Sequence, residues 1–208
     1  MPELFKQDSP LAQITTAVQG EHEDIGLSLS ERSALGHINL RRDPADVDFV
    51  SIIHKSTHVR LPETPNTFIS NAGIWALWLG PHEWLIVTPG GLEVSLQDAL
   101  HTTLANHNHS VTDVTCGNIA MSLSGARTRE VLAKGCGIDL HERFFVPGTC
   151  VQTQVSKANV LISRPDSTSR FDLIVRRSFA EYLALWLLDA GREYGLKFCR
   201  EPPEPEIA

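Results

Sequence analysis

The sequence predicts an α+β fold made of two β-α-β-β-α halves with mostly antiparallel sheets. Two observations predict it. Apolar and polar residues alternate in some stretches, as in strands, and apolar residues recur three and four apart in others, as in helices. These stretches follow one another in the same order twice along the chain. Composition agrees: of 208 residues, 42% are hydrophobic and 21% charged, enough for one large domain or two small ones around a real core. The repeat lies in element order and not in residue identity, and it places helices on one face of each sheet. The expected divisions are a loosely held segment over 1–25, a first half over 26–108, a second half over 109–198 and a flexible tail over 199–208. Both ends are polar, acidic or proline-rich, EPPEPEIA at 201–208 for example. Such segments bury too little apolar surface to order themselves.

In the first half, HINLR from His37 to Arg41 alternates as a half-buried strand should. Asp43–Pro44 reads as a helix start, with an acceptor at the N-cap, proline at N1 and Asp46 near the positive end of the dipole. Val47, Val50 and Ile53 carry that helix to about His54. Strands at Ile74–Leu79 and Trp84–Thr88 follow, joined by a turn over Gly80–Pro81–His82–Glu83, onto which Glu83 could hydrogen-bond back. Leu96, Ala99, Leu100 and Leu104 then mark one face of a helix.

The second half opens with an alternating strand, Asn118–Leu123, and a short helix containing Ala126, Val131 and Leu132, capped by Ser124 and stopped at Gly135. Cys150–Val155, Val160–Ser163 and Phe171–Val175 read as strands. Ser178-Phe-Ala-Glu181 has the pattern of a capping box. The helix behind it would carry Phe179, Tyr182, Leu183, Trp186, Leu187 and Ala190 along one broad face, with Trp186 a core residue.

Three of the four tryptophans, Trp75, Trp78 and Trp84, fall within ten residues. Alternation sets Trp75, Leu77 and Leu79 on one face of their strand and Ile74, Ala76 and Trp78 on the other. Two indoles on opposite faces require that one be covered by a helix or presented to a partner. Trp78 and Trp84 are therefore candidate partner contacts, because indoles are enriched at interface centres, where truncation often costs about 2 kcal/mol or more. Core packing on both faces is the alternative.

Charge and composition exclude several classes. Net charge is −7, with a pI near 5.7, and the basic residues come as isolated pairs, Arg41–Arg42 and Arg176–Arg177. No nucleic-acid partner is expected. The N-terminus reads as neither signal peptide nor anchor, and no window approaches the roughly 18–20 apolar residues of a membrane span, so a cytoplasmic protein is expected. Cys116, Cys136, Cys150 and Cys199 lack C-x-x-C spacing and read as small, partly buried hydrophobes in a reducing compartment.

Catalytic patterns are few. His107-Asn-His109 could ligate a metal but sits in a polar stretch without a third ligand, which fits a solvated loop better. Asp139-Leu-His141-Glu142 could do acid–base work in a cleft, though a turn or helix start explains it more simply. There is no G-x-S-x-G, no P-loop and no G-x-G-x-x-G opening a helix after a strand. The residues alone therefore mark no catalytic, cofactor-binding or metal site.

LGPHEWL at 79–85, Asp113-Val-Thr115, Ser124-Gly125-Ala126, VLAKGC at 131–136, DLH at 139–141 and Phe145-Val-Pro147-Gly148 go further. Over about residues 73–191 the chain resembles the gamma subunits of heterotetrameric sarcosine oxidase. It is also similar to the wider folate-binding aminomethyltransferase family, which includes the glycine-cleavage T-protein. The resemblance implies a non-catalytic subunit docked on alpha, beta and delta subunits. That complex would oxidatively demethylate sarcosine to glycine, make hydrogen peroxide and pass a one-carbon unit to tetrahydrofolate. It implies FAD, covalently held FMN, NAD and folate in the alpha and beta subunits and zinc in delta, with no redox centre in this chain. One departure from the transferases matters. Where their strand carries a pair of acids, one of them catalytic, this chain has Lys157-Ala-Asn-Val-Leu-Ile-Ser163, with Leu161 and Ile162 near the acid positions. An alkyl group cannot stabilise an iminium-like charge. The rival readings are a free-standing folate-binding or aminomethyl-transfer enzyme with an acid-lined groove, a small subunit of a related N-methyl amino acid dehydrogenase complex, and a homo-oligomeric scaffold.

Overall fold

The computed structural model describes residues 9–14, 27–105 and 108–200. In chain order they form β1 (Ser28–Glu31), β2 (Leu35–Arg41), α1 (Val47–Thr57), β3 (Phe68–Asn71), β4 (Ile74–Gly80), β5 (Glu83–Pro89), α2 (Leu92–Thr103) and β6 (Ser110–Asp113). The remainder is β7 (Asn118–Ser124), α3 (Thr128–Ala133), β8 (Cys150–Val155), β9 (Ala158–Ser163), β10 (Arg170–Arg176), α4 (Arg177–Ala190) and β11 (Lys197–Arg200). The α+β class and mostly antiparallel pairing hold: β1–β11 is the parallel pair, and the other ladders are antiparallel. The unit that recurs is β-α-β-β-β-α, β2-α1-β3-β4-β5-α2 and then β7-α3-β8-β9-β10-α4, one strand more than the expected β-α-β-β-α, with β1, β6 and β11 outside the repeat.

The five-stranded sheet runs β3-β4-β5-β2-β6 and the six-stranded sheet β11-β1-β7-β10-β9-β8. Aligning β3-β4-β5-β2 with β8-β9-β10-β7 shows an exchange. β6, which precedes β7 in the chain, lies beside β2, while β1, which precedes β2, lies beside β7. Each half therefore completes its sheet with a strand from the other half's stretch of sequence. The expected boundary between 108 and 109 does not separate the sheets.

Alternation along the strands builds four layers. Ile38, Leu40, Trp84 and Ile86 face α1 and α2, packing with Phe49, Ile53, Leu100 and Leu104. Met121, Leu123, Ile162 and Leu173 face α3 and α4, packing with Val131, Leu132, Leu183 and Leu187. The opposite faces meet each other through Leu77, Leu85, Val87, Cys150 and Leu161. The second core also takes Leu11 and Ile14, both buried, and Ser9 donates to the Glu31 carboxylate at 2.6 Å. This part of the N-terminal stretch expected to be loose is anchored, because two apolar side chains reach the core. At the other end, β11 carries the ordered chain through Arg200, past the expected start of the tail at 199.

Several local signals resolve differently from expectation. Asp43 makes only a turn, accepting from the Ala45 amide at 2.9 Å, and Asp46 is the true N-cap of α1, accepting from Phe49 at 3.0 Å. The buried stripe of α1 is Phe49, Ile53 and Thr57, leaving Val47 78% exposed. Ser124 ends β7, where its hydroxyl meets that of Ser28 at 2.9 Å, and Thr128 ties the start of α3 to the Gly125 carbonyl at 2.7 Å. The Ser178 capping box does not form: α4 begins at Arg177, directly after β10, with no side-chain cap. The face α4 buries is Ala180, Leu183, Ala184 and Leu187, so the small alanines let it lie close to the sheet while Phe179, Tyr182 and Leu185 face outward.

Candidate functional site

The tryptophan hairpin occupies three environments. Trp84 lies in the first core at 1% exposure, its indole N–H donating to the Pro62 carbonyl at 2.9 Å and its ring 6.4 Å from that of Phe49. With its polar atom satisfied inside, Trp84 is a core residue; as a candidate partner contact it is corrected by its burial. Trp78, cross-strand from it on the same face, is only half-buried at the margin of that core. Trp75 points the other way, into the inter-sheet layer, with Phe68 6.1 Å from its ring and the Arg32 guanidinium 5.1 Å over it. Glu83 turns from the hairpin to β2, where Asn39 and Arg41 each donate to it at 2.8 Å.

The other sequence candidates do not converge on a centre. His109 meets His101 at 3.3 Å on the surface, and His107 lies outside the described residues. Asp139 accepts from the His141 amide at 2.8 Å and His141 Nδ1 from the Arg143 amide at 3.2 Å, which is the geometry of an exposed turn. Among the described residues no group of three or more His, Cys, Asp and Glu could hold a metal ion, and no helix is long and apolar enough to cross a membrane. No disulfide joins the four cysteines, but Cys116 and Cys199 are exposed, contrary to the expected burial. Burial pushes the Cys150 thiol up to about 12, and it donates to the Thr67 carbonyl, so it is no nucleophile.

The feature that the sequence reading missed is a groove of about 850 Å³ at one end of the inter-sheet layer. Its floor is apolar, including Leu79, Leu85, Leu161 and Ile174, and continues the core between the sheets. Its walls carry the side chains of Asn39, Asn118, Gln152, Gln154 and Asn159, with Gln152 donating to the Leu79 carbonyl at 2.7 Å. Arg41, Glu83 and Arg176 stand at strand ends along it, and Glu83 is the carboxylate among the described lining residues. Of the two β9 positions singled out above, Leu161 faces the groove while Ile162 faces the second core. The signal was present as two isolated basic pairs; only the stacking of two sheets brings one member of each to the same groove.

Beyond the groove the inter-sheet layer holds buried charge. Asp172 accepts from Arg32 at 3.0 Å and from Arg170 through two bonds of 3.0 Å. His37 is 2% exposed, with neither ring nitrogen hydrogen-bonded, and burial pushes its pKa down to about 4 against a smaller upward pull from Asp113. At neutral pH it is an uncharged imidazole, and it does not belong to the lining of the groove.

A profile of the sarcosine oxidase gamma subunit family matches residues 41–193. The chain belongs to that family. The sarcosine oxidase subunit gamma of Corynebacterium sp. (strain P-1) is 28% identical over 169 residues, 81% of each chain. A solved chain of the heterotetrameric sarcosine oxidase of Corynebacterium sp. U-96, in complex with pyrrole 2-carboxylate, superposes with a TM-score of 0.80 at 27% identity, covering 91% of this chain and 96% of that one. The aminomethyltransferase T of the Bartonella henselae glycine cleavage system is similar in fold alone, at a TM-score of 0.60 and 16% identity over 83% of this chain and 47% of that one. The gamma-subunit family thus has a fold in common with a transferase.

Proposed function

We propose that this chain is the gamma subunit of a heterotetrameric sarcosine oxidase and that it contributes binding surface in place of reacting groups. The family match over residues 41–193 carries the reading. The groove supports its second part: the positions of β9 that face it are Asn159 and Leu161, and its one described carboxylate is already held by Arg41 and Asn39. In the complex, sarcosine is oxidatively demethylated to glycine, with hydrogen peroxide formed and a one-carbon unit passed to tetrahydrofolate. FAD, FMN, NAD, the folate site and zinc belong to the alpha, beta and delta subunits. Trp78, half-buried at the margin of the first core, is a partner contact.

Co-expression of the tagged chain with alpha, beta and delta subunits tests this. A yellow complex that makes peroxide from sarcosine is expected to co-elute with the chain; a colourless chain eluting alone, or one that binds tetrahydrofolate by itself, would overturn the reading. Within the complex, Trp78→Ala should weaken subunit association by about 30-fold, from roughly 2 kcal/mol of lost contact. Trp84→Ala should instead lower the stability of the isolated chain by about 3–5 kcal/mol, as a large cavity in a core does. Thermal unfolding of the chain and titration of the complex separate the two.

A further inference from the structure

We propose that the inter-sheet groove receives an extended, acidic segment of a partner subunit, an inference that rests on the subunit reading above. Shape is the first argument. The groove crosses β4, β5, β2 and β6 on one wall and β8, β9, β10 and β7 on the other. Four strands span roughly 14 Å at about 4.8 Å apart, the length of four or five extended residues at about 3.3 Å each.

Wall chemistry is the second. Small-molecule pockets are mostly apolar, with a few polar groups set for orientation. Among the described lining residues, five carboxamide side chains stand along the walls and no aromatic ring offers a stacking surface. A carboxamide presents one acceptor and two donors, the complement of a peptide group. The aliphatic floor, with Leu79, Leu161 and Ile174, accommodates an apolar side chain between peptide groups.

Charge is the third. On a chain of net charge −7, this groove is rimmed by Arg41 and Arg176. Arg41 is engaged by Glu83 at 2.8 Å, whereas Arg176 is exposed and makes no ion pair among the described residues. A guanidinium placed so favours a carboxylate on the incoming chain, through charge-assisted and bidentate hydrogen bonds. The occupant is thus a stretch with Asp or Glu flanking an aliphatic residue.

The test uses the four-subunit complex carrying a photo-crosslinking residue at Gln154 or at Asn159, both exposed positions. Mass spectrometry should map the cross-link to an Asp- or Glu-containing stretch of another subunit. Arg176→Glu should lower its yield at least tenfold and Arg176→Gln by less, while Arg192→Glu, at an exposed position outside the groove's lining, leaves it unchanged. Assembly of all four chains with no cross-link, or with cross-links to this chain's own residues or to a bound small molecule, would overturn the groove proposal alone. Failure of the unsubstituted chain to join the other subunits would overturn the subunit reading, and the groove proposal with it.

Discussion

His37 places an imidazole between two sheets with neither nitrogen hydrogen-bonded among the described residues and the Asp113 carboxylate acting on it. Burial disfavours the charged form, so the folded pKa, about 4, lies below the ordinary value of 6.5. The sign follows from linkage: the unfolded chain binds the proton first, and folding loses free energy as pH falls through that interval. From pH 6.5 down to about 4 this one residue should cost about 3 kcal/mol, and below that the loss levels off. His37→Leu removes the titration together with two unpaired polar atoms. In urea unfolding, the variant is expected to be at least as stable as the natural chain at pH 7 and to gain on it by about 3 kcal/mol at pH 4. A gap that does not change with pH would contradict the assignment.

Between elements, one close approach lies where α3 ends against α4. A Cβ added at Gly135 would come within 2.5 Å of two indole carbons of Trp186. Gly135→Ala should therefore cost about 1–3 kcal/mol by overpacking, measured as a lowered thermal midpoint, and Trp186→Leu should relieve most of it. Sequence reading placed glycine there as a helix stop, which captures the chain's path and misses the packing that excludes a side chain. The same division runs through the other elements. Strand alternation was legible, and it put Trp75 and Trp78 on their correct opposite faces. Caps were less so, because Asp43 and Asp46 offer the same chemistry three residues apart and only packing of Phe49 selects between them. The short strands β1, β3 and β11 have no clear apolar period and owe their conformation to the ladders they join. The groove was illegible for a related reason: Arg41 and Arg176 are far apart in sequence, and their convergence depends on sheet stacking.

At the scale of the molecule, exchange of β1 and β6 makes each sheet depend on both halves. A fragment of residues 27–108 carries β1 without its sheet, and a fragment of 109–200 loses the strand that joins β11 to β7. Neither fragment alone should unfold cooperatively, whereas mixing them should restore a cooperative transition; a cooperative transition in either fragment alone would contradict the exchange. In this shared framework the groove and the half-buried Trp78 are the surfaces we propose for other chains. The most direct test of the central claim is native mass spectrometry of the chain co-expressed with alpha, beta and delta subunits. A single species containing one copy of each is expected, with this 23.0 kDa chain released on dissociation. A chain that stays at its own mass, or assembles only with itself, would contradict it.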